Sequence, residues 1–287
     1  MKIVTHDSTF HTDDICAVAT LLLTFGEAEV VRSRDPQEYA TADYIVDTGM
    51  KYDPSKRLFD HHQPEGAGAR PNGIPYASFG LVWKEYGAKL AGGEREAEII
   101  DQKLVQAVDA HDNGVTTAKY TFEGVQEYSL GDFFKSFIDS RDPEHLYTAF
   151  MHVVGLAKDL ILREINLAKR VIADEEKISA YYQAAPDKRL VVIEEDLKGW
   201  AKFMREKPEV LYVAFPRPDG HWTLGAIQDD YYISRKPLPK SWAGLSDGEL
   251  QRISGVSDAI FCHRNLFMAA AATKEGAVKL AEVALNS

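Results

Sequence analysis

Through the first third of the chain, short β-branched runs alternate with stretches of helical period. Lys2 to Thr5, Ala28 to Arg32, Tyr44 to Asp47 and Arg57 to Phe59 read as strands. Between the first two, Ile15, Val18, Ala19, Leu22 and Leu23 recur at helical spacing across Thr12 to Phe25, with Thr12 placed as the capping residue. Strand and helix in alternation predict a mostly parallel sheet with crossover helices. Gln63 to Gly73 is rich in Gly, Ala and Pro and reads as a mobile surface loop. Helices follow over Ala77 to Lys89 and Glu94 to Asp109, and Asp112-Asn113-Gly114 reads as a turn.

From Pro143 to about Ala185 the pattern is helical throughout. Leu146, Phe150, Val153, Ala157, Leu160, Leu167, Val171, Ile178 and Tyr181 fall on a heptad seam broken at Glu164 and Asp174. A helix of about 40 residues would reach on the order of 60 Å. It suits a connector, a homodimer contact or a filler of a groove in its own fold. Beyond Pro186-Asp187-Lys188, strands are expected at Leu190 to Ile193, Val210 to Phe215, Trp222 to Ile227 and Ile260 to His263. Helices are expected at Lys198 to Arg205, Ser246 to Ser254 and Thr273 to Leu285. The reading is α/β, with domains at 1–142 and 187–287 and a long helical connector at 143–186.

A chain of 287 residues has room for two cores. Hydrophobic content of 45% and charged content of 27% are ordinary for a globular protein. The formal charge of -11 disfavours binding along nucleic-acid duplexes, though not a local positive pocket. Cys16 and Cys262, the two cysteines, lie in apolar runs, so a reducing, cytoplasmic compartment is expected. The first residues lack the apolar core of a signal peptide, and no run is long enough to suggest a membrane span.

The chemistry gathers at strand ends. Asp60, His61 and His62 follow Leu58-Phe59, and on an extended backbone Asp60 and His62 would share one face while His61 takes the other. His6, His11, Asp13 and Asp14 lie between the first strand and the first helix; Asp47 closes another strand, and Asp109 closes a helix. Ligands of open α/β sheets collect outside the carboxyl ends of strands, where these residues stand. Imidazole and carboxylate donors without thiolate favour Mn²⁺, then Zn²⁺, Fe²⁺ or Co²⁺. The donors outnumber the needs of one ion and would serve two, about 3.5 to 4 Å apart.

With His6, His11, Asp13-Asp14, Asp47 and Asp60-His61-His62 in this order, the chain resembles the DHH phosphoesterase superfamily. Val31-Arg32-Ser33-Arg34-Asp35-Pro36, Tyr52-Asp53-Pro54, Asp109-Ala110-His111-Asp112-Asn113-Gly114, Trp242-x-Gly244-Leu245 and Phe261-Cys262-His263 look like the melanocyte-proliferating-gene family within it. That resemblance implies a DHH-type N-terminal domain and Mn-dependent 3′-to-5′ exonuclease activity on RNA; an older family label is metal-dependent protein hydrolase. It further implies one metal on His6, His11 and Asp47, and a second on Asp13, Asp47, His61 and Asp109. The wider superfamily usually has Asp where His11 stands. His62 would be the catalytic imidazole outside the metal ligands, placed to donate to a phosphate oxygen or to the leaving group, with Asp60 orienting an imidazole.

Single-stranded RNA or a short oligonucleotide is the expected substrate, gripped by Arg34 and Ser78 on the first domain and by Arg235, Lys236, His263 and Arg264 on the second. The alternatives are a phosphoesterase for a small anion such as pyrophosphate or a nucleotide, and a non-catalytic nucleotide-sensing module. Arg235 and Lys236 precede Pro237 and read equally well as a solvated loop, and Trp242 reads as a packing anchor.

Overall fold

The computed structural model describes residues 1–230 and 233–287. They divide into two compact units, Met1–Lys169 and Arg170–Ser287.

The N-terminal unit opens with β1 (Lys2–Thr5), α1 (Thr12–Phe25), β2 (Glu29–Arg32), α2 (Pro36–Ala40) and β3 (Tyr44–Val46). β4 (Tyr52–Asp53) and β5 (Leu58–Phe59) complete a sheet ordered β2-β1-β3-β5-β4. β1 pairs in parallel with β2 and β3, and β3 with β5; only β4 runs antiparallel. Ile3, Val4 and Val46 are fully buried, as strands covered on both faces require. α1 begins where the pattern placed it, but its cap is His11, whose backbone N–H donates to Asp14 Oδ1 at 2.8 Å.

α3 (Ser78–Ala91) packs on α1 and is followed by α4 (Glu94–Ile100), a π-helical turn over Asp101–Val105, and α5 (Gln106–Asp112). Where the sequence suggests one helix from Glu94, the structure has two joined by a stretch with wider hydrogen-bonded loops. The segment read as a mobile loop is also tied down: Ala69 bridges Pro75, and Arg70 is only 7% exposed. α6 (Leu130–Lys135) then leads to α7 (Pro143–Ala184), 42 residues long.

Within the first unit α7 buries Leu146, Phe150, Val153, Val154, Ala157, Ile161, Ile165 and Ala168. That stripe drifts off the heptad seam at Leu160, as it must on a straight helix with 3.6 residues per turn. This part of α7 therefore fills a groove in its own unit.

In the C-terminal unit, β6 (Leu190–Val192), α8 (Trp200–Arg205), β7 (Tyr212–Pro216) and β8 (Trp222–Ala226) are followed by the antiparallel pair β9 (Gln228–Asp230) and β10 (Ile233–Ser234). α9 (Asp247–Ser254), β11 (Ala259–Cys262), β12 (Met268–Ala271) and α10 (Lys274–Leu285) complete it. The sheet is ordered β11-β12-β8-β7-β6, antiparallel except between β6 and β7. Trp242 is fully buried in its core as an anchor. Among the described residues no helix is long and apolar enough to cross a membrane.

Candidate metal centre

The carboxyl ends of β1, β3 and β5 bring His6, Asp47 and the Asp60–His62 turn onto one rim, beside the first turn of α1. Asp47 follows β3 with a φ of 55°, a left-handed backbone that Asp tolerates better than most residues. Its carboxylate stands between three imidazoles: Oδ2 is 3.4 Å from His6 Nε2, and Oδ1 is 3.5 Å from both His61 Nε2 and His62 Nδ1. Ser78 Oγ donates to Oδ1 at 3.1 Å.

Three overlapping groups have their donor atoms within 4.8 Å of one another: His6, His11 and Asp47; Asp47, His61 and His62; and Asp13, His61 and Asp112. Asp47 and His61 each belong to two of them. Asp14 adds a further carboxylate, with Oδ2 at 3.2 Å from His6 Nε2.

The outer nitrogens of two imidazoles decide what the inner ones present. His6 Nδ1 is 2.7 Å from the carbonyl of Asp7, and His61 Nδ1 is 3.4 Å from Asn113 Oδ1. Each oxygen accepts from an Nδ1–H, which leaves the Nε2 lone pair aimed inward. There it meets carboxylate lone pairs: Asp14 and Asp47 for His6, and Asp112 at 3.0 Å and Asp47 for His61. His6 Nε2, His61 Nε2 and Asp14 Oδ2 are buried atoms without a hydrogen bond, close in distance but not in hydrogen-bond geometry. Acceptors facing acceptors in a buried space repel unless a proton or a metal cation lies between them. The donor set thus fits divalent metal, oxygen and imidazole in kind.

Protons respond to the same field. Burial alone would lower His6 and His61, but the carboxylates outweigh it, raising His6 to about 10 and His61 to about 11. Asp47, despite burial, is held below the usual carboxylate range by His6 and His61. Asp13 is pushed far up by burial and by the charges of Asp47, Asp112 and Asp109.

His62 stands differently. Its Nδ1 lies 2.7 Å from Asp60 Oδ1, its side chain is half exposed, and Asp60 raises its pKa. Asp60 is fixed in turn by the backbone N–H groups of Met50 and His62, at 2.6 and 3.1 Å. The sequence put His61 and His62 on opposite faces, yet their rings lie 4.3 Å apart, because β5 ends at Phe59 and the triplet is a turn.

The remaining residues singled out in the sequence scatter more. Asp13 caps α3, accepting from the N–H groups of Ser78 at 2.9 Å and Phe79 at 2.6 Å, so that helix start already holds a carboxylate. Asp109 accepts from Gly80 N at 2.9 Å and from Arg70 Nη1 at 2.6 Å, and belongs to none of the three donor groups. Burial lifts it to about 7 even against the Arg70 guanidinium. Asp112, read as a turn residue, comes nearer to His61 than Asp47 does, with Oδ2 3.0 Å from Nε2.

Arg34 is exposed and ion-paired with Asp7. In the second unit Arg235 spends its guanidinium on Asp229 at 2.6 Å and on the carbonyls of Lys207 and Val210. Lys236 Nζ donates to the Leu285 carbonyl at 2.8 Å. His263 accepts from Asn265 N and lies against Phe267, and Arg264 is exposed beside it.

Arg70 and Gly80 had no motif to announce them. The guanidinium of Arg70 holds Asp101 as well as Asp109 and lies 4.2 Å over the ring of Tyr76. A Cβ on Gly80 would fall 1.8 Å from Asp109 Oδ2, so only glycine lets the carboxylate reach the backbone there.

A family profile described as MYG1_exonuc, uncharacterised protein family UPF0160, matches residues 2–285. The MYG1 exonuclease of Homo sapiens is 27% identical over 325 residues, covering 99% of this chain and 85% of that protein. A MYG1 protein of Chlamydia trachomatis is 30% identical over 276 residues, covering 92% of this chain and 89% of that one. Among solved structures, a pGpG-specific phosphodiesterase from Vibrio cholerae aligns over 100% of this chain and 99% of its own at 16% identity, with a TM-score of 0.34. By the near-complete match of profile and relatives, the chain belongs to the MYG1 exonuclease family.

Proposed function

We propose that this protein is a Mn²⁺-dependent phosphodiesterase of DHH type that removes nucleotides from the 3′ end of single-stranded RNA or short oligonucleotides. The observation that carries this reading is the chain of three donor groups linked through Asp47 and His61. The family name, which its human relative shares, supports an exonuclease.

In this reading His6, His11 and Asp47 hold one divalent ion, and Asp13, Asp47, His61 and Asp112 hold the other. When bound, such a pair neutralises charge on phosphoryl oxygens and lowers the pKa of a coordinated water toward neutrality. The chain's own part is positional. Asp7 and Asn113 fix the tautomers of His6 and His61 so that each Nε2 faces inward. His62, half exposed and with its protonated form favoured by the hydrogen bond to Asp60, offers a proton to the leaving oxygen. Ser78, donating from Oγ to Asp47 and from N to Asp13, anchors both carboxylates.

Incubating the purified protein with Mn²⁺ and end-labelled oligoribonucleotides, with pyrophosphate in parallel, tests the assignment. Stepwise release of mononucleotides, abolished in Asp47→Ala and reduced about a hundredfold in His62→Ala with metal content retained, is the expected result. Release of phosphate from pyrophosphate alone would replace the exonuclease with a small-anion phosphoesterase. No turnover in metal-loaded protein would leave a nucleotide-sensing role.

A further inference from the structure

A cleft of about 700 Å³ opens beside the metal-binding rim, walled by the Asp7–Thr9 turn, the end of β2 at Arg32 and the start of α7. All of its lining residues belong to the N-terminal unit, and it adjoins the centre through the contact between His6 Nδ1 and the Asp7 carbonyl. In a protein of net charge -11 it carries the opposite sign. Arg32 and Arg141 line it, and the carboxylate in its wall, Asp7, is neutralised by Arg34.

The two arginines have donors to spare. Arg32 is held from behind, its guanidinium 4.7 Å over the ring of Phe150 and 5.6 Å from that of Phe10. Among the described residues one of its five N–H donors is used, by Nη2 on the Ser8 carbonyl at 2.7 Å, and its buried Nε has no partner there. Arg141 is exposed and makes no ion pair among the described residues. A rigid guanidinium with unspent donors, in a cleft lined by a second one, suits an anion with several oxygens. Pro143, Leu146 and Tyr147 add apolar lining to the same cleft.

We infer that this cleft receives a phosphate carried on a nucleoside, with the phosphate between Arg32 and Arg141 and the base against Tyr147. The anion follows from the arginines; its identity as a nucleotide rests on the phosphodiesterase reading, and makes the cleft the seat of a substrate residue next to the one being cleaved. A bare phosphate leaves the apolar lining unused, whereas a base gains contact area and stacking there.

The test is calorimetric titration of AMP, adenosine and inorganic phosphate into Mn²⁺-loaded protein, comparing wild type, Arg141→Gln and Arg141→Lys, with hydrolysis assayed on the same preparations. Arg141→Gln should weaken AMP about tenfold, Arg141→Lys should recover most of that loss, and phosphate should bind more weakly than AMP. AMP affinity within about twofold of wild type in Arg141→Gln overturns the cleft as a phosphate site. Inorganic phosphate binding as tightly as AMP overturns the nucleoside. AMP held through Arg141 in a protein that hydrolyses no oligonucleotide supports the cleft and sinks the nuclease. Oligonucleotide hydrolysis with Arg141-independent AMP binding sinks the cleft alone.

Discussion

Arg70 Nη1 lies 2.6 Å from Asp109 Oδ2, and the two side chains are 5% and 0% exposed. The carboxylate that the sequence offered as a metal ligand is thus neutralised by the protein's own cation. It braces the start of α3 and ties it to α5. Gly80 completes the brace by letting its N–H come to 2.9 Å from the same carboxylate.

Breaking this brace should cost stability. Arg70→Met strands a buried carboxylate and is expected to destabilise by about 3 kcal/mol. Gly80→Ala, which drives a methyl into Asp109, should cost at least about 2 kcal/mol. Combining Arg70→Met with Asp109→Leu should recover much of the first loss, because both charges then leave the interior together. Urea unfolding midpoints at a common m-value measure all three; a cost under about 1 kcal/mol for Arg70→Met would remove the brace from the account.

Asp109 and Asp112 should separate in metal binding. Asp112→Asn is expected to weaken uptake of one divalent ion by at least about tenfold with little change in stability. Asp109→Asn should keep both ions and lose stability instead. Metal content by atomic absorption, alongside melting of the loaded protein, distinguishes the two; loss of an ion from Asp109→Asn would restore it as a ligand.

Protons and metal should compete. In metal-stripped protein His6 and His61 bind protons more tightly folded, at about 10 and about 11, than at their ordinary value of 6.5. The stability they contribute is therefore complete below pH 6.5 and is lost as pH rises through 10 and 11. Asp109, raised from 3.8 to about 7, acts in the same direction over its lower window. Divalent metal must displace the histidine protons, so its affinity should rise with pH and its binding should release protons. Melting of the stripped protein across pH and calorimetry in buffers of different ionisation enthalpy read both effects. A stripped protein that gains stability between pH 7 and 10 would contradict the first.

The framework was legible where side-chain period spoke clearly. The strands feeding His6 and Asp47 and the helix carrying Asp13 lie within a residue or two of where the pattern put them. β4, α2 and α6 run two to six residues, too short to express a period, and went unread. That Asp112 and not Asp109 comes beside His61 was hidden for a different reason. They lie three residues apart in α5, only about 60° from each other around its axis, and the π-helical turn ahead of them shifts the direction of both. Arg70 sat in a Gly- and Pro-rich stretch whose composition argued for mobility; the ordering came from Asp101 and Asp109, distant in sequence. Arg235 and Lys236 announced charge, but nothing in the sequence showed that backbone carbonyls would absorb it.

The left-handed turn at Asp47 limits how this protein can vary. Glutamate offers the same charge and donor atoms, but at a φ of 55° it bears more strain than aspartate, and its extra methylene would carry the carboxylate past three imidazoles at once. Asparagine would keep the backbone and forfeit the charge. Laboratory evolution toward another metal preference therefore has little room at this hub and must work through its neighbours, with His11, more exposed than His6 or Asp47, the most permissive place to begin.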